Sequence, residues 1–314
     1  MKKDAKIFIA GHRGLVGSAL VRQLRDQGYT NLICEPRSSL ELCDQKQVND
    51  YFSIHKPEYV FLAAAKVGGI HYNKTFPADF IRENLLLQTN VIDAAYRNGC
   101  KKLLFIGSAC IYPKNAPIPI REDHFLQGPV EETNEAYALA KIAGYFTCKK
   151  YTEQFGMKTV SVMPNNIYGT NDNFNPSECH VIPSFINRFL DAREKKLEHV
   201  VCFGDGSPVR EFLYSDDLAE CLVFLMREHD NPDIINVGPD REVSIKELAH
   251  LIAKAVGYEG DILWDTSKPN GTMRRVLDTS KIKALGWTAK TSLEDGITKT
   301  VDWFLANRGS YVRL

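Results

Sequence analysis

The chain has 314 residues, 44% of them hydrophobic and 25% charged, and its 39 basic and 39 acidic side chains cancel. That composition excludes a disordered or fibrous chain, and zero formal charge excludes a general attraction for nucleic acid or an anionic membrane. Eight scattered cysteines without a C-x-x-C pair exclude a disulfide framework or zinc ribbon, and no apolar run approaches the ~20 residues of a membrane span.

Residues 6–10 (KIFIA) are a short apolar run closed by glycine, which predicts a buried parallel strand. A strand this close to Met1 leaves no room for a cleaved leader, so a cytoplasmic protein with reduced thiols is expected. Residues 16–27 read as an amphipathic helix stopped by Gly28, and residues 32–34 as a second apolar run. Asp44 can cap a helix reaching about His55, where Pro57 bars continuation. Residues 59–63 (YVFLA) predict the next strand. Pro77 opens a helix that runs to about Asn98 and stops at Gly99. A strand over 103–106, a long helix over 135–155 and a strand over 160–163 follow. This alternation predicts an α/β, Rossmann-like, doubly wound parallel sheet. Residues 164–179, rich in Asn, Pro, Gly and Ser, read as a long functional loop. Beyond them a helix starts near Ile182, strands lie near Val200 and Glu211, and helices start near Ser215, Ser244 and Ser292. The expected division is a dinucleotide-binding domain over 1–163 and a smaller mixed α/β substrate domain over 164–314, interleaved with the last sheet elements.

Gly11, Gly14 and Gly17 form G-x-x-G-x-x-G between the first strand and the first helix. Glycines there let the backbone approach a pyrophosphate, whose charge the helix N-terminus favours. An acidic residue after the second strand selects a ribose hydroxyl, whereas arginine accepts a 2′-phosphate. Glu35 stands against Arg13 and Arg37, and the two arginines favour NADP over NAD. Tyr137 and Lys141 are four apart on one helix face, a spacing at which the ammonium stabilises a phenolate that exchanges a proton with an alcohol or ketone. Y-x-x-x-K alone is structural in most chains. Here Ser108 follows the fourth strand, where α/β sheets bind ligands, and can hydrogen-bond the same oxygen. Glycine loop, serine and Y-x-x-x-K in this order resemble the short-chain dehydrogenase/reductase superfamily, in its extended form.

Longer stretches are similar to one branch, the GDP-L-fucose synthase family: GHRGLVGSA at 11–19, AAAKVGGI at 63–70, SACIYP at 108–113, YALAKIAG at 137–144, NIYGTNDNF at 166–174, HVIP at 180–183, REFLYSDD at 210–217 and KPNGTMRRVLD at 268–278. The resemblance implies NADPH-dependent 3,5-epimerisation and 4-keto reduction of a GDP-linked 4-keto deoxy sugar, GDP-4-keto-6-deoxy-D-mannose. It implies that Cys110 takes the protons alpha to the ketone and that His180 returns one on the other face. An enolate oxygen would rest on Ser108 and Tyr137. It also implies cofactor contacts at Leu15, Val16, Pro164, Asn166, Ile167, Lys141 and His180, and substrate contacts at Arg188, Phe203, Arg210 and Asn270. For Arg210 the bland alternative is an ion pair with Glu211 or Asp216. No metal is expected. A homodimer through the two long helices is expected by resemblance.

The family commonly carries tryptophan at Phe203, aspartate at Asn270, threonine at Asn165, histidine at Tyr214 and proline at Met273. These departures bear on the sugar and on base recognition. One alternative is therefore a 4-reductase or 5-epimerase/4-reductase of another GDP-4-keto deoxy sugar, of the dideoxyhexose (colitose) or 6-deoxyheptose type. A non-enzyme alternative is a cofactor-binding regulatory protein, against which Ser108, Tyr137 and Lys141 count.

Overall fold

In a computed structural model that describes residues 1–268 and 270–309, the first strand β1 (Ile7–Ala10) is buried along its whole length. Helices cover both of its faces, which is why the run needs no polar alternation. α1 (Leu15–Asp26) leaves the glycine turn and leads to β2 (Leu32–Ile33). α2 (Gln45–His55) is capped by Asp44, which accepts from the Gln47 N–H at 3.0 Å. β3 (Tyr59–Leu62), the short α3 (Ile70–Thr75), α4 (Pro77–Arg97) and β4 (Lys102–Ile106) follow. α5 (Glu135–Phe155) ends at Gly156, whose φ of 70° is the left-handed stop that glycine adopts readily.

β5 (Thr159–Pro164) is separated from β6 (Asn166–Tyr168) by one residue. Then come α6 (Val181–Glu194), β7 (His199–Phe203), β8 (Val209–Tyr214), α7 (Ser215–Glu228), β9 (Ile234–Val237) and β10 (Glu242–Ser244). The chain closes with α8 (Ile245–Val256), β11 (Asp261–Asp265), β12 (Arg274–Arg275), α9 (Ser280–Ala284) and α10 (Leu293–Asn307). Ser244 and Ser292 cap α8 and α10 by accepting from Glu247 and Asp295 N–H groups. None of the described helices is long and apolar enough to cross a membrane.

The central sheet has the order β2-β1-β3-β4-β5-β9 and every neighbouring pair in it is parallel. The fold is Rossmann-like α/β. One core packs α2, α4 and α5 on one face of this sheet, and a second packs α1 and α7 on the other. A third lies among α6, α8, α10 and β8.

Four elements differ from the sequence expectation. Residues 164–179 hold β6, which pairs in parallel with β8, so the stretch begins as a strand and only then loops. β9 completes the main sheet from far along the chain, and its run IINV is too short to be told from a buried turn by periodicity alone. β11 pairs in parallel with β7, and α3 lies within and after the motif at 63–70.

Glu211 on β8 ties the main sheet to the smaller one. Its buried carboxylate accepts from Asn165 Nδ2 at 2.5 Å, just past β5, and from the Leu277 N–H at 3.0 Å. Burial outweighs those two bonds and pushes its pKa up to about 7. A carboxyl whose folded pKa exceeds its unfolded value stabilises most below that unfolded value, and the gain is lost as pH rises through the folded one. Glu211→Gln should therefore melt close to the parent at pH 5 and above it at pH 8.5, by on the order of 3 kcal/mol. Thermal melts across that range check this, and a constant difference between the two proteins would rule it out.

Candidate functional site

From β1 the chain moves out to β2 and returns to β3 on the other side, so the connections diverge at the carboxyl ends of β1 and β3. Open α/β sheets bind ligands in that crevice. A cleft of 2220 Å³ begins there and runs to β7, β8 and residues 270–275. Gly11, with φ of 79°, forms its floor, and a Cβ there would stand 2.8 Å from the Ala64 Cα. The turn can therefore pack against the end of β3 at this φ only because the residue is glycine.

Gly14, Leu15 and Val16 line the cleft at the exposed N–H groups that begin α1. Gly17 does not line it: a Cβ there would collide with the Gly11 carbonyl, so its glycine serves the turn itself. Arg13 is exposed at the rim. Arg37 also lies there, 72% exposed at its side chain, with Nε donating to Glu41 at 2.6 Å and Nη2 3.7 Å from Glu83. Glu35 accepts from the Tyr51 hydroxyl at 3.2 Å, so its carboxylate is partly engaged within the protein. His12 Nδ1, in the same loop, is buried without a partner among the described residues. An uncovered helix start, a tight glycine turn, an orphaned ring nitrogen and two rim arginines fit a dinucleotide carrying a third phosphate. Pro164, Asn166 and Ile167 line the opposite wall, with Asn166 Nδ2 donating to the Glu211 carbonyl at 3.0 Å.

The middle of the cleft holds the candidate chemistry. Ser108 caps a single 3₁₀ turn by accepting from the Cys110 N–H at 3.2 Å, and its hydroxyl bonds Tyr137. Lys141 is buried and donates to the Ile106 carbonyl at 2.7 Å, with its ammonium 5.7 Å from the Tyr137 ring centre and 4.9 Å from that of Phe105. Burial pulls it down to about 8. Burial also pushes the Tyr137 phenol up, and the charge of Cys110 adds to this, against the Ser108 hydrogen bond. At neutral pH Tyr137 is thus a proton donor beside a cation.

Two residues that sequence reasoning missed surround Cys110. Asn134 Nδ2 donates to its sulfur at 3.1 Å. Arg275 Nη2 donates to the Ala109 carbonyl at 2.6 Å and to that of Tyr112 at 3.2 Å, holding the turn from the far side of the cleft. Asn134 stands three residues before Tyr137, where asparagine reads as a helix cap, so its job was masked. Arg275 gave no local signal, because its partners lie more than 160 residues away.

The outer wall carries the remaining expected residues. His180 is exposed at the start of α6. Arg188 sits over the Phe203 ring at 5.2 Å, and Phe203 is 62% exposed, an aromatic face open toward the cleft mouth. Asn270 Oδ1 accepts from the Asp205 N–H at 3.1 Å and so shapes the loop beside Gly204. Arg210 donates to the Val209 carbonyl at 2.8 Å, and burial with the like charge of Arg275 pulls its pKa down. Neither ion pair of the bland alternative forms: Glu211 holds Asn165, and Asp216 pairs with Arg22 at 2.5 Å. Arg210 and Arg275 therefore leave a strip of positive charge uncompensated by carboxylate among the described residues, which suits an anionic ligand.

A profile described as the NAD dependent epimerase/dehydratase family matches residues 7–238. The chain is 55% identical over 307 residues to a putative GDP-L-fucose synthase 2 of Arabidopsis thaliana, spanning 98% of this chain and 94% of that one. It is 47% identical over 315 residues to a GDP-L-fucose synthase of Escherichia coli K12, spanning 98% of each. A solved GDP-mannoheptose C4 reductase from Campylobacter jejuni with NADP bound is 37% identical and superposes with a TM-score of 0.90, covering 97% of this chain and 99% of that one.

Proposed function

The chain belongs to the NAD dependent epimerase/dehydratase family, and from that premise we propose that it converts GDP-4-keto-6-deoxy-D-mannose to GDP-L-fucose, epimerising C3 and C5 and reducing C4. The observation that carries this reading is Cys110, a thiol with an amide donor on its sulfur, two residues after Ser108 and close enough for its charge to act on Tyr137. A plain ketone reductase has no use for a base there.

The glycine loop with Arg13 and Arg37 would hold NADPH, which would supply a hydride for C4. The chain's own residues do the rest. The C4 ketone acidifies the hydrogens on C3 and C5, and the Cys110 thiolate removes one of them. Ser108 and Tyr137 hold the enolate oxygen that results, acting as donors on developing charge. His180 delivers a proton to the opposite face. Each inversion leaves Cys110 protonated and His180 one proton short, so exchange with water resets both and marks each carbon with solvent hydrogen. In the reductive step Tyr137 gives its proton to the C4 oxygen. Arg188 and Arg210 bind the nucleotide diphosphate, and Phe203 offers a face to the base.

Lys141 carries its charge below about 8 and loses it as pH rises through that value. Reduction should consequently decline about tenfold per pH unit above 8, while deuterium exchange at C3 declines less. Parallel pH profiles of the two half-reactions check this, and an undiminished reduction rate at pH 9.5 would count against a role for the ammonium.

Incubating the protein with GDP-4-keto-6-deoxy-D-mannose and NADPH in deuterated water, then identifying the product by NMR, tests the whole reading. Deuterium at C3 and C5 of GDP-L-fucose is the expected result. Phe203 and Asn270 favour a second reading, 4-reduction or 5-epimerisation with 4-reduction of another GDP-linked 4-keto deoxy sugar. An unepimerised product would support it. We further infer a cytoplasmic homodimer. All eight cysteines are free thiols, and α4 and α5 pack side by side with Leu86, Leu139 and Phe155 exposed on them. A monomeric mass in sizing would overturn the dimer.

A further inference from the structure

We propose that Asn134 is a positioning residue that donates to the Cys110 sulfur and holds it as the thiolate. This deepens, and rests on, the reading of Cys110 as the base.

Asparagine just before a helix ordinarily accepts a hydrogen bond from the first turn, and losing such a cap costs about 1 kcal/mol. Asn134 makes no such bond, because it ends a 3₁₀ turn (Glu132–Asn134) that runs into α5 and that Glu131 caps by accepting from the Thr133 N–H. Its amide turns instead to Cys110, with Nδ2 at 3.1 Å from the sulfur. Its Oδ1 is buried there with no partner among the described residues. The side chain thus leaves a buried acceptor unbonded, a loss that the Cys110 contact must offset. A hydrogen bond to neutral sulfur is weak, whereas one to an anion is about twice as strong as its neutral counterpart. The contact therefore offsets more of that loss when the sulfur is charged than when it is neutral.

The remaining surroundings of Cys110 fit that division of labour. Its N–H is already taken by Ser108, and Arg275 fixes the turn through the Ala109 and Tyr112 carbonyls without reaching the thiol in any bond. Among the described residues, Asn134 is the side chain that bonds the Cys110 sulfur itself. The reversed amide would aim Oδ1 at the sulfur and accept a thiol proton, favouring the neutral form, so the two orientations have opposite consequences.

The test is alkylation of the full-length protein by iodoacetamide across pH 6 to 10, read at the Cys110 peptide by mass spectrometry. Asn134→Asp is nearly isosteric and keeps a good helix cap, yet it replaces the donor with an acceptor. Asn134→Ala removes the amide altogether. Alkylation at pH 7 should fall at least about tenfold in both variants, more in Asn134→Asp, with the half-maximal pH moved upward. Exchange at C3 and C5 should fall in step, and NADPH binding should stay unchanged. Asn134→Asp also brings a like charge to the sulfur, so Asn134→Ala decides: a residue without the donor role would leave Asn134→Ala alkylating like the parent, and that outcome overturns the proposal. Faster alkylation in either variant would do the same, by showing that the amide favours the thiol. If alkylation shifts as expected while the parent protein exchanges no deuterium into the keto sugar, the donor role stands and the reading of Cys110 as base fails.

Discussion

A Tyr137→Phe variant should reduce the keto sugar about a thousandfold more slowly while still exchanging deuterium into C3 and C5. The substitution removes one hydroxyl and little else. Phe keeps the edge-on packing against Phe80, whose ring centre lies 6.4 Å away, and leaves Lys141 on the Ile106 carbonyl. Reduction places a full negative charge on the C4 oxygen unless a proton arrives, and Tyr137 is the donor that burial keeps protonated. A thousandfold is ~4 kcal/mol of transition-state stabilisation, within the usual range for a positioned general acid. The enolate of the exchange reaction retains Ser108, so exchange should slow by about tenfold at most. NMR of the recovered keto sugar separates the two rates. If both fell together, Tyr137 would serve the enolate as much as the alcohol, and the division of labour drawn here would be wrong.

Cys110→Ala is the complementary case. Exchange at both carbons should drop by about three orders of magnitude, and slow reduction should yield an unepimerised sugar in place of GDP-L-fucose. The turn itself should survive, because Arg275 and Ser108 hold it through backbone groups. A folded Cys110→Ala protein that exchanged at the parental rate would remove Cys110 from the mechanism. The charge of Cys110 also helps keep Tyr137 protonated, so the variant's phenol should titrate lower. This couples the steps: while the base is poised, the acid stays loaded.

Much of the first half of the fold was legible because its signals are local. The glycine turn, the Asp44 cap and the Gly28 stop each follow from a residue and its immediate neighbours. The pairing of β9 beside β5 was not, since nothing in IINV says which edge it will join. The same holds in the site. Ser108, Tyr137 and Lys141 follow from spacing on one turn and one helix. Glu211, adjacent to Arg210, invited an ion pair that the strand geometry denies, since alternation on β8 sends neighbouring side chains to opposite faces, and Asp216 lies beyond β8 in the first turn of α7. Asp216 went to Arg22 and Asp217 to the Lys290 and Thr291 N–H groups, so these acids stitch layers together. Asn134 was hidden for a different reason. A polar residue before a helix has a common structural explanation, and only the coordinates show that it was declined.

Arg275 gives the molecule a property of another kind. The turn bearing the thiol grows from the main sheet, yet its latch comes from a two-residue strand near the other end of the chain. A chimera that took residues 164–314 from a relative, in order to borrow that relative's sugar pocket, would import the latch as well. Exchange of that segment therefore changes the support of the Cys110 turn together with the outer wall of the cleft, whereas a point change at Phe203 or Asn270 leaves the Arg275 latch in place.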